Sequence, residues 1–243
     1  MDIVLIGYGK MGRAAHQAFL DRGHVVSGIM TEKSPPELLR EALQQADLCV
    51  DFSHSNAVLG NIAACGRAKK NIVVGTTGWE SQLEEAKKRV FLDGVGCLYA
   101  PNFSVGVHLF LKLAAAAASF LTDLDEYDIG ITEAHHRHKT DNPSGTAKLA
   151  AEIMIERHPR KLRAEMALGG APLEDVLQIS SLRCGAIPGT HSVVIDSPSD
   201  TVTLTHQARD RKGFALGAVR AAEWLCGKTG FFTLDDLLFG EKK

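Results

Sequence analysis

Residues 2–6, Asp-Ile-Val-Leu-Ile, form a nearly unbroken apolar run, the pattern of a strand buried on both faces, and a helical pattern continues from it through Leu20. Apolar runs of strand length then alternate with helix-period segments. Strands are predicted at 25–30, 48–52, 72–74 and 96–100, and helices at 36–46, 56–67 and 81–90. Such alternation specifies an α/β unit with a doubly wound parallel sheet. The pattern changes near residue 100, where a long helix is predicted over 107–121. A strand at 124–134 and a helix at 146–156 follow, then strands grouped at 176–183, 191–196 and 201–207 with turn residues between them. This is the pattern of a second, α+β unit on a mixed sheet. A last helix at 213–226 is expected to return to the first unit. The division predicted is 1–104 with 213–243 for the first domain and 105–212 for the second.

The first strand runs into Gly7-Tyr8-Gly9-Lys10-Met11-Gly12, a G-x-G-x-x-G placed between a strand and a helix. The first glycine allows the tight turn, the second lets backbone approach a pyrophosphate, and the third lets the helix pack closely with its N-terminus aimed at the phosphates. The second strand ends at Thr31-Glu32-Lys33. Glu32 lies where an acid takes the ribose hydroxyls, and Lys33 beside it suits a 2′-phosphate, so the Rossmann reading extends to both NADH and NADPH. The later strands of this unit end in Asp51-Phe52-Ser53-His54, Gly75-Thr76-Thr77-Gly78 and Ala100-Pro101-Asn102-Phe103-Ser104, and carboxyl ends of this kind line the cofactor crevice in such a sheet.

The chemistry concentrates in Glu133-Ala134-His135-His136-Arg137-His138-Lys139-Thr140-Asp141-Asn142-Pro143-Ser144-Gly145-Thr146. It reads as a loop after a strand, turning into a helix start at Pro143 and Ser144. Backbone N–H groups of Gly145 and Thr146, with the hydroxyls of Ser144 and Thr146, suit a carboxylate or phosphate, and the nearby cations favour the same anion. Two other readings compete: a solvated loop with surface histidines, and a metal site using His136 or His135 with His138. The spacing matches no zinc signature and no cysteine is near in sequence, so no metal is expected. A cleft between the two domains, with the basic loop facing the nicotinamide, is the arrangement these elements imply.

Composition narrows the partners. A formal charge of −2 over 243 residues argues against a nucleic-acid or membrane surface. The five cysteines form no CxxC pair, so a reduced, cytoplasmic protein is expected. The longest apolar run, 109–121, is broken by Lys112 and short for a bilayer, and no signal peptide opens the chain.

The loop resembles the signature E-A-H-H-x-x-K-x-D-x-P-S-G-T of 4-hydroxy-tetrahydrodipicolinate reductases, which serve the diaminopimelate route to lysine. Val50-Asp51-Phe52-Ser53, Gly75-Thr76-Thr77-Gly78, Pro101-Asn102-Phe103-Ser104-Val105-Gly106-Val107, Arg183-Cys184-Gly185 and Gly189-Thr190-His191 agree with it in order. The resemblance implies hydride transfer from NADH or NADPH to a cyclic dicarboxylate, the hydroxylated ring or its dehydrated form. It makes His135 the acid/base, Lys139 the proton donor and His136 a substrate ligand, with Ser144, Gly145 and Thr146 holding a carboxylate. It makes Gly7, Tyr8, Gly9, Lys10, Met11, Gly12, Glu32, Lys33, Gly75, Thr76, Thr77, Ala100, Pro101, Asn102 and Phe103 cofactor contacts, and it implies a homotetramer joined through the second domain. Two departures leave the NADH or NADPH preference open: the glycine loop is one residue shorter than the common G-x-x-G-R-M-G form, with Lys10 for the arginine, and the stretch from Lys33 to Leu48 is short. Another two-domain amino-acid dehydrogenase would lack residues 135–146 in this form, and a dinucleotide sensor without chemistry would have no use for Lys139 beside His135.

Overall fold

The computed structural model describes residues 1–166 and 170–240. In chain order the elements are β1 (Asp2–Ile6), α1 (Lys10–Asp21), β2 (Val25–Met30), α2 (Pro36–Gln45), β3 (Leu48–Asp51), α3 (Val58–Arg67), β4 (Asn71–Val74), α4 (Leu83–Asp93), β5 (Gly96–Tyr99) and α5 (Val105–Phe120). These are followed by β6 (Asp128–His135), α6 (Gly145–Ile155), β7 (Arg163–Met166), β8 (Val176–Arg183), β9 (Thr190–Asp196), β10 (Thr201–Gln207), α7 (Lys212–Leu225), β11 (Gly230–Thr233) and α8 (Leu234–Phe239). The chain divides into two compact units, residues 1–105 with 211–243, and residues 106–210.

The first unit holds an all-parallel sheet in the order β11-β5-β4-β3-β1-β2. Successive residues of each strand face opposite sides, and both sides are apolar. Ile3, Leu5, Val50, Val73 and Leu98 pack with Ala15 and Phe19 of α1 and Ala218, Ala222 and Leu225 of α7. Val4, Ile6, Cys49, Ile72, Val74 and Cys97 pack with Leu43 of α2, Val58 and Ile62 of α3, and Ala86 and Val90 of α4. Strand order reverses between β1 and β3, which puts the turn after β1 at the switch point where such sheets bind ligands. The short strand β11 and helix α8 were not predicted: Gly230-Phe231-Phe232-Thr233 adds to the sheet edge beside β5. Its residues are at most half-buried at the sheet edge, so it lacks the buried apolar run that announces β3, β4 and β5.

The second unit has a mixed sheet in the order β10-β9-β6-β8-β7, with β6 antiparallel to β9 and parallel to β8. Helices α5 and α6 cover one face, where Val107, Phe110, Leu111 and Ala114 meet Ile129, Ile131, Ala150, Met154, Leu177, Ile179, Val193 and Ile195. The strand predicted at 124–134 in fact begins at Asp128. Residues 121–123 form a 3-10 turn, and the carbonyls of Leu124, Asp125 and Tyr127 accept hydrogen bonds from Arg160, so polar anchoring overrides strand pairing there. Strand β7 was not predicted; in Arg163-Ala164-Glu165-Met166 the ion pair of Arg163 with Glu165 shows how polar an edge strand can be. Helix α5 with its following turn, Val105–Asp123, is longer than the apolar run suggested and is long and apolar enough to cross a bilayer by composition. Its buried stripe nonetheless forms the centre of this unit's core.

Candidate active site

In the first unit the chain leaves β1 through Gly7, whose φ of +89° and whose position, with a built Cβ 2.2 Å from the Phe52 carbonyl oxygen, admit only glycine. A Cβ on Gly12 would lie 2.0 Å from the Gly7 carbonyl oxygen, so α1 starts as close to β1 as backbones allow. Gly9 caps α1, and a Cβ there would meet nothing within 4 Å. The helix N-terminus, with exposed Lys10 and half-buried Met11, is a ready site for an anion.

A cleft of about 1930 Å³ opens beside this turn, lined by Gly7, Tyr8, Gly9, Glu32, Lys33 and His54 among others. Glu32 pairs with His54 across the ends of β2 and β3. Arg40 and Arg67, also on the wall, add cations that no motif announced. Tyr8 donates or accepts with His16 Nδ1 at 2.7 Å, and Arg13 lies 4.8 Å over its ring, so the tyrosine is fixed.

Gly75, Thr76 and Thr77 follow β4, and Ala100, Pro101, Asn102 and Phe103 follow β5, on the same sheet edge as the glycine turn; none of these seven lines the cleft. Thr76 is buried and donates to Asp51 Oδ1 at 2.9 Å, while Phe103 stacks edge-on to Phe52 and is 3% exposed. Asp51 itself is wholly buried and also accepts from Ser53 N–H and Asn61 Nδ2, both at 2.8 Å, so it ties the ends of β3 and β4 together.

In the second unit the sheet sorts its inward face by position along the strands. Ile129 and Ile131 of β6 are followed two and four residues on by Glu133 and His135 on the same face. Register puts His135 opposite Arg183 of β8, and Glu133 between Ser181 of β8 and His191 of β9. One end of the sheet face is therefore apolar and the other is a polar row.

Glu133 has a fully buried side chain. Arg183 donates to both of its oxygens, at 3.0 and 2.7 Å, the Ser144 N–H donates to Oε1 at 3.2 Å, and His135 Nδ1 makes a short hydrogen bond with Oε2. Burial alone would raise the Glu133 pKa; the side chains of Arg183, Ser181 and His135 outweigh it and bring the carboxyl down to about 2. Burial pushes His135 below the ordinary imidazole value, with Glu133 working against the shift and Lys139 and Arg183 adding to it. His191 is brought down to about 4, chiefly by burial and also by His135.

Strand β6 ends at His135, and the chain turns through His136, whose Nδ1 is buried without a partner, to Lys139, whose ammonium lies 2.7 Å from Asp141 Oδ1. Burial works to raise the Asp141 pKa, but Lys139 and the N–H groups of Asp141 and Gly145 leave it below its usual value. The cation and the helix N-terminus here already converge on one carboxylate. Helix α6 starts at Gly145. Ser144, 2% exposed, is its N-cap: the hydroxyl accepts from Ala147 N–H at 3.2 Å and pairs with His191 Nε2 at 3.0 Å. Gly145 is exposed and Thr146 half-buried at the first turn.

The ligand atoms of Glu133, His135 and His191 lie within 4.8 Å of one another, close enough for a metal ion. The guanidinium bonded to both Glu133 oxygens already places a cation there, and the Nδ1–Glu133 bond takes one histidine nitrogen, which disfavours a divalent ion. Glu133, Arg183 and His191 carried no role from the sequence. An acid continuing the inward period of Ile129 and Ile131 was the available signal, because a buried carboxylate requires a partner.

Comparison with known proteins covers nearly the whole chain. Residues 1–103 match the family model described as dihydrodipicolinate reductase, N-terminus, and residues 106–238 match dihydrodipicolinate reductase, C-terminus. The chain belongs to the dihydrodipicolinate reductase family. It is 37% identical over 238 residues to a 4-hydroxy-tetrahydrodipicolinate reductase of Christiangramia forsetii, covering 98% of each. It is 36% identical over 267 residues to that of Laribacter hongkongensis, again with 98% of each covered. A solved structure, dipicolinate-bound dihydrodipicolinate reductase from Paenisporosarcina sp. TG-14, shares the fold with a TM-score of 0.80 at 22% identity, over 98% of this chain and 99% of that one. As a member of this family the protein is an oxidoreductase of the diaminopimelate route to lysine that uses NADH or NADPH.

Proposed function

We propose that the protein reduces a cyclic dicarboxylate, 4-hydroxy-tetrahydrodipicolinate or its dehydrated form, at a site formed by His135, His136, Lys139, Ser144, Gly145 and Thr146. The observation that carries this reading is the convergence of a buried histidine, a lysine ammonium and a helix N-terminus on one short loop, where a carboxylate of the chain already sits. The dipicolinate of the Paenisporosarcina structure is a ring of the same dicarboxylate class.

Reduced nicotinamide, when bound, supplies the hydride. Gly145 and Thr146 hold a ring carboxylate through backbone N–H groups and the Thr146 hydroxyl, while Ser144 keeps the helix start in place. From the hydroxylated ring the 4-hydroxyl leaves as water before reduction, and hydride addition to the dehydrated ring then leaves an electron pair that must be protonated. The Lys139 ammonium can donate that proton, and His135 works beside it. Gly7 to Gly12, Glu32 and Lys33 hold the dinucleotide, with Gly75 to Thr77 and Ala100 to Phe103 shaping the sheet edge beside it. The decisive experiment supplies substrate from pyruvate and aspartate semialdehyde and follows oxidation of NADH and NADPH in parallel. Oxidation of neither would overturn the reading.

Two variants test the parts. Lys33→Ala should weaken NADPH several-fold more than NADH, because a 2′-phosphate needs the cation and a diol needs Glu32. Arg40 and Arg67 on the same wall limit the loss. Equal changes in the two KM values would remove Lys33 from phosphate recognition. Thr146→Val keeps the backbone donor and loses the hydroxyl, so KM for the dicarboxylate should rise by roughly 10-fold, the value of about one charge-assisted hydrogen bond, with NADH affinity unchanged. A fall in NADH affinity instead would assign the loop to the dinucleotide.

A homotetramer is part of the same proposal. The sheet face of the second unit turned away from α5 and α6 carries Gly130, Thr132, Ser180, Leu182, Ser192 and Val194, small or uncharged residues suited to another sheet. A cytoplasmic setting is supported by the five cysteines, all free thiols.

A further inference from the structure

We infer that Glu133 and Arg183 are positioning residues that hold His135 as the Nδ1–H tautomer, leaving Nε2 as its working nitrogen. The inference rests on the catalytic role proposed for His135. The two oxygens of Glu133 are engaged by two hydrogen bonds from Arg183, one from Ser144 N–H and one involving His135 Nδ1. Guanidinium and amide nitrogens only donate, and an ionised carboxylate only accepts, so the Nδ1 of His135 must carry the proton. The ring is then fixed from one side, in the way a buried acid orients a catalytic histidine elsewhere.

Nε2 lies on the opposite side of the ring, 3.0 Å from where a Cβ on Gly189 would stand. Glycine at 189 leaves that nitrogen uncovered by any side chain of its neighbour. Arg183 reaches further: its Nη2 also donates to the Asp141 carbonyl at 2.7 Å, and the Cys184 N–H donates to the His135 carbonyl at 2.9 Å. Strand β8 thus holds both the histidine and the loop that carries Lys139.

The charges facing His135 are Glu133 on its own strand, Arg183 on β8 and Lys139 in the loop. His191 on β9 packs edge-on at 5.0 Å between ring centroids. Burial pushes His191 down to about 4 and also lowers His206, its register partner on β10. Among these groups Glu133 favours the imidazolium, and Arg183 and Lys139 oppose it. The two positioning residues therefore act on His135 with opposite sign.

The test is an NMR titration of nitrogen-15 histidine-labelled enzyme combined with pH profiles of kcat and kcat/KM. Glu133→Gln should move the ionisation of His135 down by roughly one pH unit, and Arg183→Gln should move it up by a similar amount. In both, kcat should fall by roughly 10²-fold with KM for NADH unchanged. Arg183→Lys keeps the charge and loses the planar fork, so the ionisation should return close to its original pH while kcat recovers only in part. In the unaltered enzyme the nitrogen shifts should report Nδ1–H. Each direction stands alone, so a variant that fails to fold leaves the other decisive. An Nε2–H tautomer, or displacement of both variants in one direction, would overturn the inference. His135→Gln separates the two levels: unchanged kcat there would end the role of His135 itself. A large loss there, with the titration unmoved in Glu133→Gln and Arg183→Gln, would end only the positioning pair.

Discussion

Replacing Lys139 with alanine is expected to lower kcat by roughly 10²- to 10⁴-fold, the range general acid catalysis contributes, with little change in KM for NADH. The electron pair left by hydride addition exists fully only after the transition state begins to form, so the group that neutralises it acts on kcat more than on ground-state binding. Lys139 is placed for that role. Its side chain is 22% exposed, it sits four residues beyond His135, and its ammonium already engages the Asp141 carboxylate in the loop before α6. His135→Ala should lose activity within the same range. If both serve one proton transfer, the double variant should be little worse than the worse single, whereas multiplicative losses would assign independent roles. Near-normal kcat in Lys139→Ala would end this mechanism.

The second large effect is expected from Gly7→Ala. Its φ of +89° costs a residue with a Cβ roughly 1–3 kcal/mol, and the new atom would stand 2.2 Å from the Phe52 carbonyl oxygen, so the turns after β1 and β3 must move apart. Both turns line the cleft, and their displacement takes the dinucleotide site with it. Calorimetry should show the transition of the first unit lowered by roughly 2–12 °C, using about 2–4 °C per kcal/mol for domains of this size. NADH affinity should fall by roughly 10-fold or more. Gly9→Ala is the contrast. Gly9 has φ −77° and open space around its missing Cβ, so stability should hold while NADH affinity falls, because the added methyl occupies the pyrophosphate's approach. Equal loss of stability in the two variants would show that the glycines serve only the fold.

The fold class and the family were legible in the sequence because their causes are local. A doubly buried strand must be apolar throughout, as residues 3–6 are; a phosphate-binding turn must be short and glycine-rich, as residues 7–12 are; and the loop at 133–146 combines residue types that few other roles would collect. The weakest signals came from edge strands. Strands β7 and β11 lie at sheet edges and stay partly exposed, without the buried apolar run that marks the equally short β3, β4 and β5.

What the sequence could not contain was pairing. Nothing in the order of residues says that Arg183, fifty positions after Glu133, closes on both oxygens of that acid. Nor does it say that the Ser144 hydroxyl is taken by Ala147 N–H and His191, or that Glu32 meets His54 on the wall of the cleft beside the glycine turn. Periodicity determines which face a residue occupies, and the turn residues determine where a chain reverses. Which buried carboxylate meets which cation depends on strand order and register, and those are set by the packing of the whole sheet against α5 and α6, at distances along the chain that no local pattern spans.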